Sequence, residues 1–542
     1  MRFAPHPVRI LFALSALFAF GAKGPLQSQT PEGANPTKGR YEVQLRNQVE
    51  TKPAAGRFHR LQREEVWDAS KTAIIVCDMW DSHHCYRAVL REQEFAPRLN
   101  DVLTTARKQG TTIIHSPSGC MSAYAEHPAR RRASQTSAAH AYPADISKWC
   151  YQIPAEEAAT YPIDQTDGGE DDTPEEHAAW EKQLAAQGRD VKAPWQRQID
   201  VIEIDPQSDF ISDDGKEIWN VLQDRGIRQV ILAGVHTNMC VLGRPFGLRR
   251  MKLAGMNVAL MRDLTDTMYN PAAKPFVSHF SGTDLIVDHI ERYVCPTLTS
   301  DQIIGGSAFR FADDHRPHVA MLINEPEYQT EITLPRFVEK HLRRDHRITL
   351  VYGSEPSPDE FPGIGLIAEA DALLVSVRRR TPPPEQLAVV RDFVSSGKPV
   401  IGIRTASHAF ALRSGSVPAG ASDWPGFDAQ VFGGHYTNHH GNNKMPSLLR
   451  VDQTDHAILA GVELERFKPG GSLYVVSPVN ANATVLLQGE IQGSPPEPVA
   501  WTFERADGGQ SFYTSLGAPA DFEQPAFEKL LRNAVDWAVQ RR

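Results

Sequence analysis

Twice along this chain, apolar runs of strand length alternate with segments of helical periodicity, and that alternation leaves few folds open. Between residues 66 and 298 strands are expected at 72–77, 111–115, 198–204, 229–233, 257–261 and 284–287. Helical patterns fall near 95–109, 216–225 and 241–253, and Gly226 and Gly255 sit just past the last two, where helices stop. A second series starts near His318, with strands at 318–323, 348–351, 372–377 and 399–403 and helices at 336–343 and 385–395. Shorter strands follow at 472–476, 483–487, 499–502 and 510–514, before a terminal helix at 526–541. Strands alternating with helices make parallel sheets covered on both faces. The expected class is therefore α/β: two three-layer αβα domains, each with a mainly parallel, doubly wound sheet. They span 66–298 and 318–542, with an inter-domain boundary at 299–317, and 542 residues exceed what one hydrophobic core fills. The segment 116–197 is too long for a simple connection; its acidic run at 164–172 reads as a solvated loop in preference to a metal site.

The first 65 residues have another character. Arg2 and Arg9 precede a short apolar stretch at 10–21, followed by polar sequence with Pro and Gly. That is the pattern of a secretory signal, here expected over residues 1–30, and it is too short to span a bilayer. Residues 31–65 read as a linker. The protein is expected to be secreted or periplasmic, with no transmembrane segment after signal removal. A net charge of −9 and no long basic run argue against nucleic acid as a partner. Six cysteines are too few for a dense disulfide framework, and no CxxC pair suggests zinc. Bridges among Cys77, Cys85, Cys120 and Cys150 stay open.

Cys240, in GVHTNMCVLG, lies where an apolar strand ends and a helix begins. Such a thiol faces the carboxyl edge of the sheet, where open α/β folds do their chemistry. Helix-terminal N–H groups there lower a thiol pKa and can hold an oxyanion; a buried core cysteine is the competing reading. Asp78 directly follows the strand at 72–77, so it reaches the same edge as a candidate general base, or as a cap.

Together these residues resemble the isochorismatase-like cysteine hydrolases over about 66–295, through Gly234, Val235, Thr237, Cys240 and Val241 with Asp78. The resemblance implies Cys240 as nucleophile, Asp78 as base, the backbone N–H groups of His236 and Cys240 as oxyanion hole, and a cis bond at Val235–His236. It also implies a lysine near the middle strand. Here residues 200–210 carry Glu203, Asp205 and Asp209 and no lysine; Lys192 and Lys216 are nearest. Extra carboxylates would raise the pKa of both Asp78 and Cys240. Asp81, His83 and His84 are a candidate divalent-metal set, or hydrogen-bonding pocket walls. Trp80, Tyr86, His115 and Arg244 are candidate substrate-pocket residues, Arg244 for a carboxylate, with packing or a surface helix face as the alternatives.

The second series resembles the ThuA-like (trehalose-utilisation) group, akin in fold to class I glutamine amidotransferases, over about 318–541. The resemblance is carried by 399–403, Gly433-Gly-His435, Asp455-His456, 498–501 and 513–517. Where the amidotransferases place their cysteine, this chain reads Arg404-Thr-Ala-Ser-His408, and where a ThuA-like histidine is expected it has Ala518. His435, His439, His440 and His456 are a candidate polar pocket for a carbohydrate, favouring binding over catalysis.

The reading is an exported cysteine hydrolase acting on a small amide or related C–N substrate, with a ThuA-like accessory domain. No cofactor is required, a divalent metal is admitted, and a homo-oligomer is open. The alternative is a catalytically degenerate small-molecule or carbohydrate-binding protein, because the lysine is missing; a third makes the second domain the enzyme.

Overall fold

The computed structural model describes residues 39–451 and 455–540; the expected signal at 1–30 lies outside them. The first sheet holds β1 (Arg40–Glu50), β2 (Phe58–Asp68), β3 (Thr72–Cys77), β4 (Thr112–Ser116), β5 (Phe210–Ile211), β6 (Gln229–Val235), β7 (Asn257–Asp266) and β8 (Thr297–Leu298). Their order is β2-β1-β8-β7-β6-β3-β4-β5. From β8 to β5 every neighbour is parallel, and β1 and β2 add an antiparallel edge. Every residue of β3, Thr-Ala-Ile-Ile-Val-Cys, is buried, as a central strand covered on both faces requires. The chain runs outward from β3 to β4 and β5, then returns to the other side of β3 with β6 and continues to β7 and β8. Strand order therefore reverses between β3 and β6, which opens a crevice beyond their carboxyl ends.

The second sheet is built from β9 (His318–Asn324), β10 (Arg347–Tyr352), β11 (Ala372–Val377), β12 (Val400–Ile403), β14 (Ser447–Arg450), β16 (Ala483–Glu490), β17 (Glu497–Glu504) and β18 (Gln510–Thr514). Two short strands, β13 (Asn438–His439) and β15 (Tyr474–Val475), pair separately. The order is β10-β9-β11-β12-β18-β17-β16-β14, parallel from β10 to β18 and antiparallel beyond. Its reversal falls between β9 and β11. Both domains are thus α/β with mainly parallel sheets.

Four local expectations change. Residues 40–68, expected mostly as linker, form the β1–β2 hairpin; Tyr41, Val43 and Leu45 alternate inward, while charges on the other face hide the strand pattern. Arg60 of that hairpin reaches both domains, donating from Nη2 to Asp288 (2.6 Å) and from Nη1 to Thr349 (3.2 Å). Residues 198–204 make only an isolated bridge between Trp80 and Gln198, and the edge strand is β5 instead. The run at 284–287 lies inside the helix His279–Tyr293, because three apolar residues do not by themselves tell strand from helix. The helix expected at 241–253 divides into a π-turn at Thr237–Val241 and a short helix at Leu248–Leu253. All six cysteines are free and buried, so none of the bridges left open forms. Among the described residues no helix is long and apolar enough to cross a membrane.

Candidate active site

Asp78 and Cys240 meet at the first reversal point. Asp78 leaves β3 with φ 47°, a left-handed conformation that costs a non-glycine residue of order 1–3 kcal/mol and turns its carboxylate into the crevice. Cys240 leaves β6 in the π-turn, behind a Val235–His236 peptide that is cis, as expected. Gly234 permits the close approach of the two strand ends: a Cβ there would stand 2.1 Å from the Cys77 carbonyl oxygen. Asp78 is fully buried, and Cys240 is 8% exposed.

Three groups converge on the Asp78 carboxylate. The Ser118 N–H donates to Oδ1 at 2.7 Å, Arg244 Nε donates to Oδ2 at 3.0 Å, and the Cys240 thiol hydrogen-bonds to it as well. Burial raises the Asp78 pKa, against the opposing pull of Arg244 and the hydrogen bonds. Burial first, then the Asp78 charge, pushes the Cys240 thiol well up, with Arg244 pulling the other way. The resting thiol is therefore protonated at neutral pH. Arg244, four residues beyond Cys240, was expected as a substrate-carboxylate binder; the structure instead pairs it with Asp78 and lays its guanidinium 5.3 Å from the Trp149 ring. It places a cation against Asp78, where residues 200–210 offer no lysine.

The acids at 203–209 do not crowd the thiol. Asp209 accepts two hydrogen bonds from Arg107 (2.9 and 2.7 Å) and one contact from His115 Nε2 (3.1 Å). Those bonds outweigh burial and hold Asp209 far below the usual carboxylate range. His115 is likewise not a pocket residue: it is fully buried, and its Nδ1 meets Gln198 Oε1 at 2.9 Å. Lys192 and Lys216 are exposed, the latter over the Tyr142 ring.

The expected metal set does not assemble. Asp81 is held by Arg189 Nη2 and the Gln196 N–H, both at 2.9 Å. His83 Nδ1 accepts from the Cys85 N–H, and His84 Nε2 lies 3.2 Å from Glu170. Three residues of one loop thus point to three different partners. A different group, Cys85, Asp171 and Asp172, comes close enough to ligate an ion. Its carboxylates are already committed: Asp171 to Arg91 by two 2.9 Å bonds, and Asp172 to the N–H groups that open the helix Tyr86–Gln109. The acidic run at 164–172 is thus partly buried, not wholly solvated.

Trp80 and Tyr86 act through packing. Trp80 stacks on Trp195 at 4.7 Å and donates its indole N–H to Ser118 O (3.1 Å); Tyr86 lies against Trp180 at 5.1 Å. The wall that sequence reasoning missed is His236 itself. Its ring is buried, meets His83 edge-on at 4.8 Å, and has no hydrogen-bond partner on either nitrogen. Burial pushes its pKa down to about 4, so the imidazole is neutral at pH 7.

In the second domain the elbow after β12 is retained without a thiol: Arg404 occupies it with φ 44°. Of the four expected histidines, His435 and His439 line a cavity beside that elbow. His440 is absent from that lining, and His456 turns away, its ring 5.8 Å from Trp537 on the terminal helix and its Nδ1 accepting from the Ile458 N–H. His408, which sequence reasoning passed over, lines the cavity instead.

Residues 324–538, most of the second domain, match the family model of ThuA, trehalose utilisation. Among solved structures, similarity extends to a ThuA-like protein from Bacteroides uniformis, 16% identical over 44% of this chain and 96% of that one, with a TM-score of 0.33. A cysteine hydrolase from Pseudomonas syringae pv. phaseolicola is 15% identical over 44% of this chain and 92% of that one, with a TM-score of 0.27. N-carbamoylsarcosine amidase from Thermoplasma acidophilum is 15% identical over 36% and 83%, with a TM-score of 0.20. No curated protein matches the chain.

Proposed function

We propose that the first domain is a cysteine hydrolase of small amides or related C–N bonds, in an exported protein. The reading rests on one observation, the three-way contact of the Cys240 thiol, the Asp78 carboxylate and the Arg244 guanidinium in a reversal-point crevice. Export is supported by the sequence of residues 1–30 alone.

Burial makes Asp78 a stronger proton acceptor than an exposed carboxylate, while Arg244 pulls the other way, favouring the anion. As the amide carbon approaches, the thiol proton passes to Asp78 and sulfur forms a bond to carbon. Negative charge moves to the former carbonyl oxygen, where the N–H groups of His236 and Cys240 receive it, as the family resemblance implies. Asp78 then returns the proton to the leaving nitrogen, the C–N bond breaks, and water opens the thioester with Asp78 again as base. The neutral His83 and His236 rings add no competing charge beside the sulfur. Arg244 also favours this reading over a degenerate site, since a permanent cation stands against Asp78.

The test offers a panel of small primary amides and N-carbamoyl compounds to the full chain and to Cys240→Ser, following ammonia release and intact mass. Thiol-dependent release with an acyl adduct on Cys240 is the expected result. Failure of every compound to give either one would sink the reading.

A further inference from the structure

We propose that the ThuA domain binds a small anionic polyol, a sugar carrying a carboxylate or a phosphate ester, in the cavity at its own reversal point. The site is independent of the hydrolase crevice.

The cavity, about 390 Å³, is of monosaccharide-to-disaccharide scale. Its walls come from the loops that leave β9, β11 and β12, the three strands flanking the place where strand order reverses. From β9 come Glu327 and Tyr328, from β11 Arg378 and Arg379, and from β12 His408; Arg413 closes one side. Charge is lopsided. Arg378 is paired with Glu327 at 2.5 Å. Arg379 touches only the Ala411 carbonyl oxygen, at 3.3 Å, and Arg413 is exposed; neither has a carboxylate within ion-pair distance among the described residues. Behind the cavity wall, Arg404 is a third cation with no carboxylate within ion-pair distance among the described residues, Asp521 acting on it only from farther off. Arg404 lies 4.2 Å from the Tyr328 ring and 4.8 Å from the Tyr474 ring, and its Nη1 donates to Ser515 O at 2.6 Å.

The remaining acid does not cancel this. Asp428 lines the cavity with a buried Oδ1 that has no hydrogen-bond partner, and burial pushes its pKa up to about 7. It carries less than a full negative charge at neutral pH and can donate a hydrogen bond to a ligand hydroxyl. His408 is stacked on Tyr436 at 4.5 Å; burial, then Arg379, Arg378 and Arg404, push it down to about 3, so it is a neutral donor or acceptor. Unpaired guanidinium groups select a carboxylate or phosphate. Neutral hydroxyl, carboxyl and imidazole groups beside aromatic faces suit a polyol body.

Calorimetric titration of the full chain at fixed ionic strength, with glucose 6-phosphate, glucuronate, glucose and inorganic phosphate as probes, tests this. The expected result is saturable binding of glucose 6-phosphate or glucuronate, with glucose at least tenfold weaker and phosphate alone weaker than its sugar ester. Which anionic sugar binds more tightly distinguishes phosphate from carboxylate. Arg413→Glu, an exposed change that leaves unliganded melting unaltered, should weaken binding tenfold or more, and Arg379→Gln should do likewise. No binding by either anionic sugar at millimolar concentration overturns the proposal. So does glucose binding as tightly as its phosphate, inorganic phosphate matching the ester, or both variants binding as the native chain does. Cys240→Ser must leave the titration unchanged, which separates this result from the fate of the hydrolase reading.

Discussion

The two domains place side chains at equivalent points of similar sheets and use charge in opposite ways. At the first reversal a buried carboxylate is matched by one cation and one thiol, and Arg244 has its nearest anion 3.0 Å away. At the second, cations outnumber the acids and the elbow residue is itself an arginine. A matched trio in a closed crevice suits bond-making, because the charges that move are compensated inside the site. An excess of one sign in an open cavity suits capture of a ligand that brings the other. Shared topology thus fixes where chemistry can occur, while the side chains at strand ends decide its kind.

The largest expected effect breaks the first site alone. Cys240→Ala should lower thiol-dependent amide hydrolysis at least ~10³-fold, with anionic-sugar titration unmoved. Next comes Arg244→Met, which leaves Asp78 buried without its cation. Breaking a buried pair in this way costs about 3–5 kcal/mol, to be read as a lowered urea midpoint of the first domain. Arg244→Lys should retain most of that stability. Asp78→Asn sharpens the comparison from the other side. Turnover should fall by roughly 10²–10⁴-fold, yet iodoacetamide should label Cys240 faster than in the native chain. The Asp78 charge is one cause of the raised thiol pKa, and with it gone Arg244 faces the sulfur alone. Slower labelling would mean that Asp78 does not face the thiol as an anion.

A pH prediction concerns the support behind the first crevice. Glu156 accepts two bonds from Arg249 (2.8 and 2.7 Å) and contacts His289 Nε2 at 2.8 Å. Burial pushes its pKa up, but His289 and Arg249 outweigh that and bring it to about 2, from an ordinary 4.5. A depressed carboxylate contributes stability that is complete above pH 4.5 and is lost as pH falls toward 2. The loss is about 2–3 kcal/mol across that window, and Glu156→Gln should flatten the slope of urea midpoint against pH there.

Much of the architecture was legible because β3, β6 and β11 are largely apolar runs bounded by turn residues, and Cys240 and Asp78 could be placed at strand ends from that alone. What escaped was pairing over distance. Arg244 reads as a surface helix residue until the turn after Cys240 brings it back onto Asp78, and Gly243, whose Cβ would strike the Trp149 ring at 2.4 Å, lets the covering loop close over it. His115 looked like a pocket residue from its place at a strand end; its partners Gln198 and Asp209 lie 83 and 94 residues on, beyond any local pattern. The β1–β2 hairpin was hidden because one of its faces carries charge in both strands.

The smallest effect is the most pointed. Arg404→Met should change stability by no more than about 1 kcal/mol, against several for Arg244→Met, although Arg404 is the more buried of the two arginines. The difference is in what each leaves behind. Removing Arg244 strands a carboxylate, whereas removing Arg404 strands the Ser515 carbonyl and the Tyr328 hydroxyl and keeps an apolar chain between two tyrosine rings. Loss of two hydrogen bonds is offset by relief from desolvating an unpaired cation. Anionic-sugar affinity should fall by a smaller factor than for Arg413→Glu, since Arg404 acts from behind the wall. If the urea midpoint drops as far as for Arg244→Met, a carboxylate depends on Arg404 after all, and the contrast between a matched and an unmatched crevice fails.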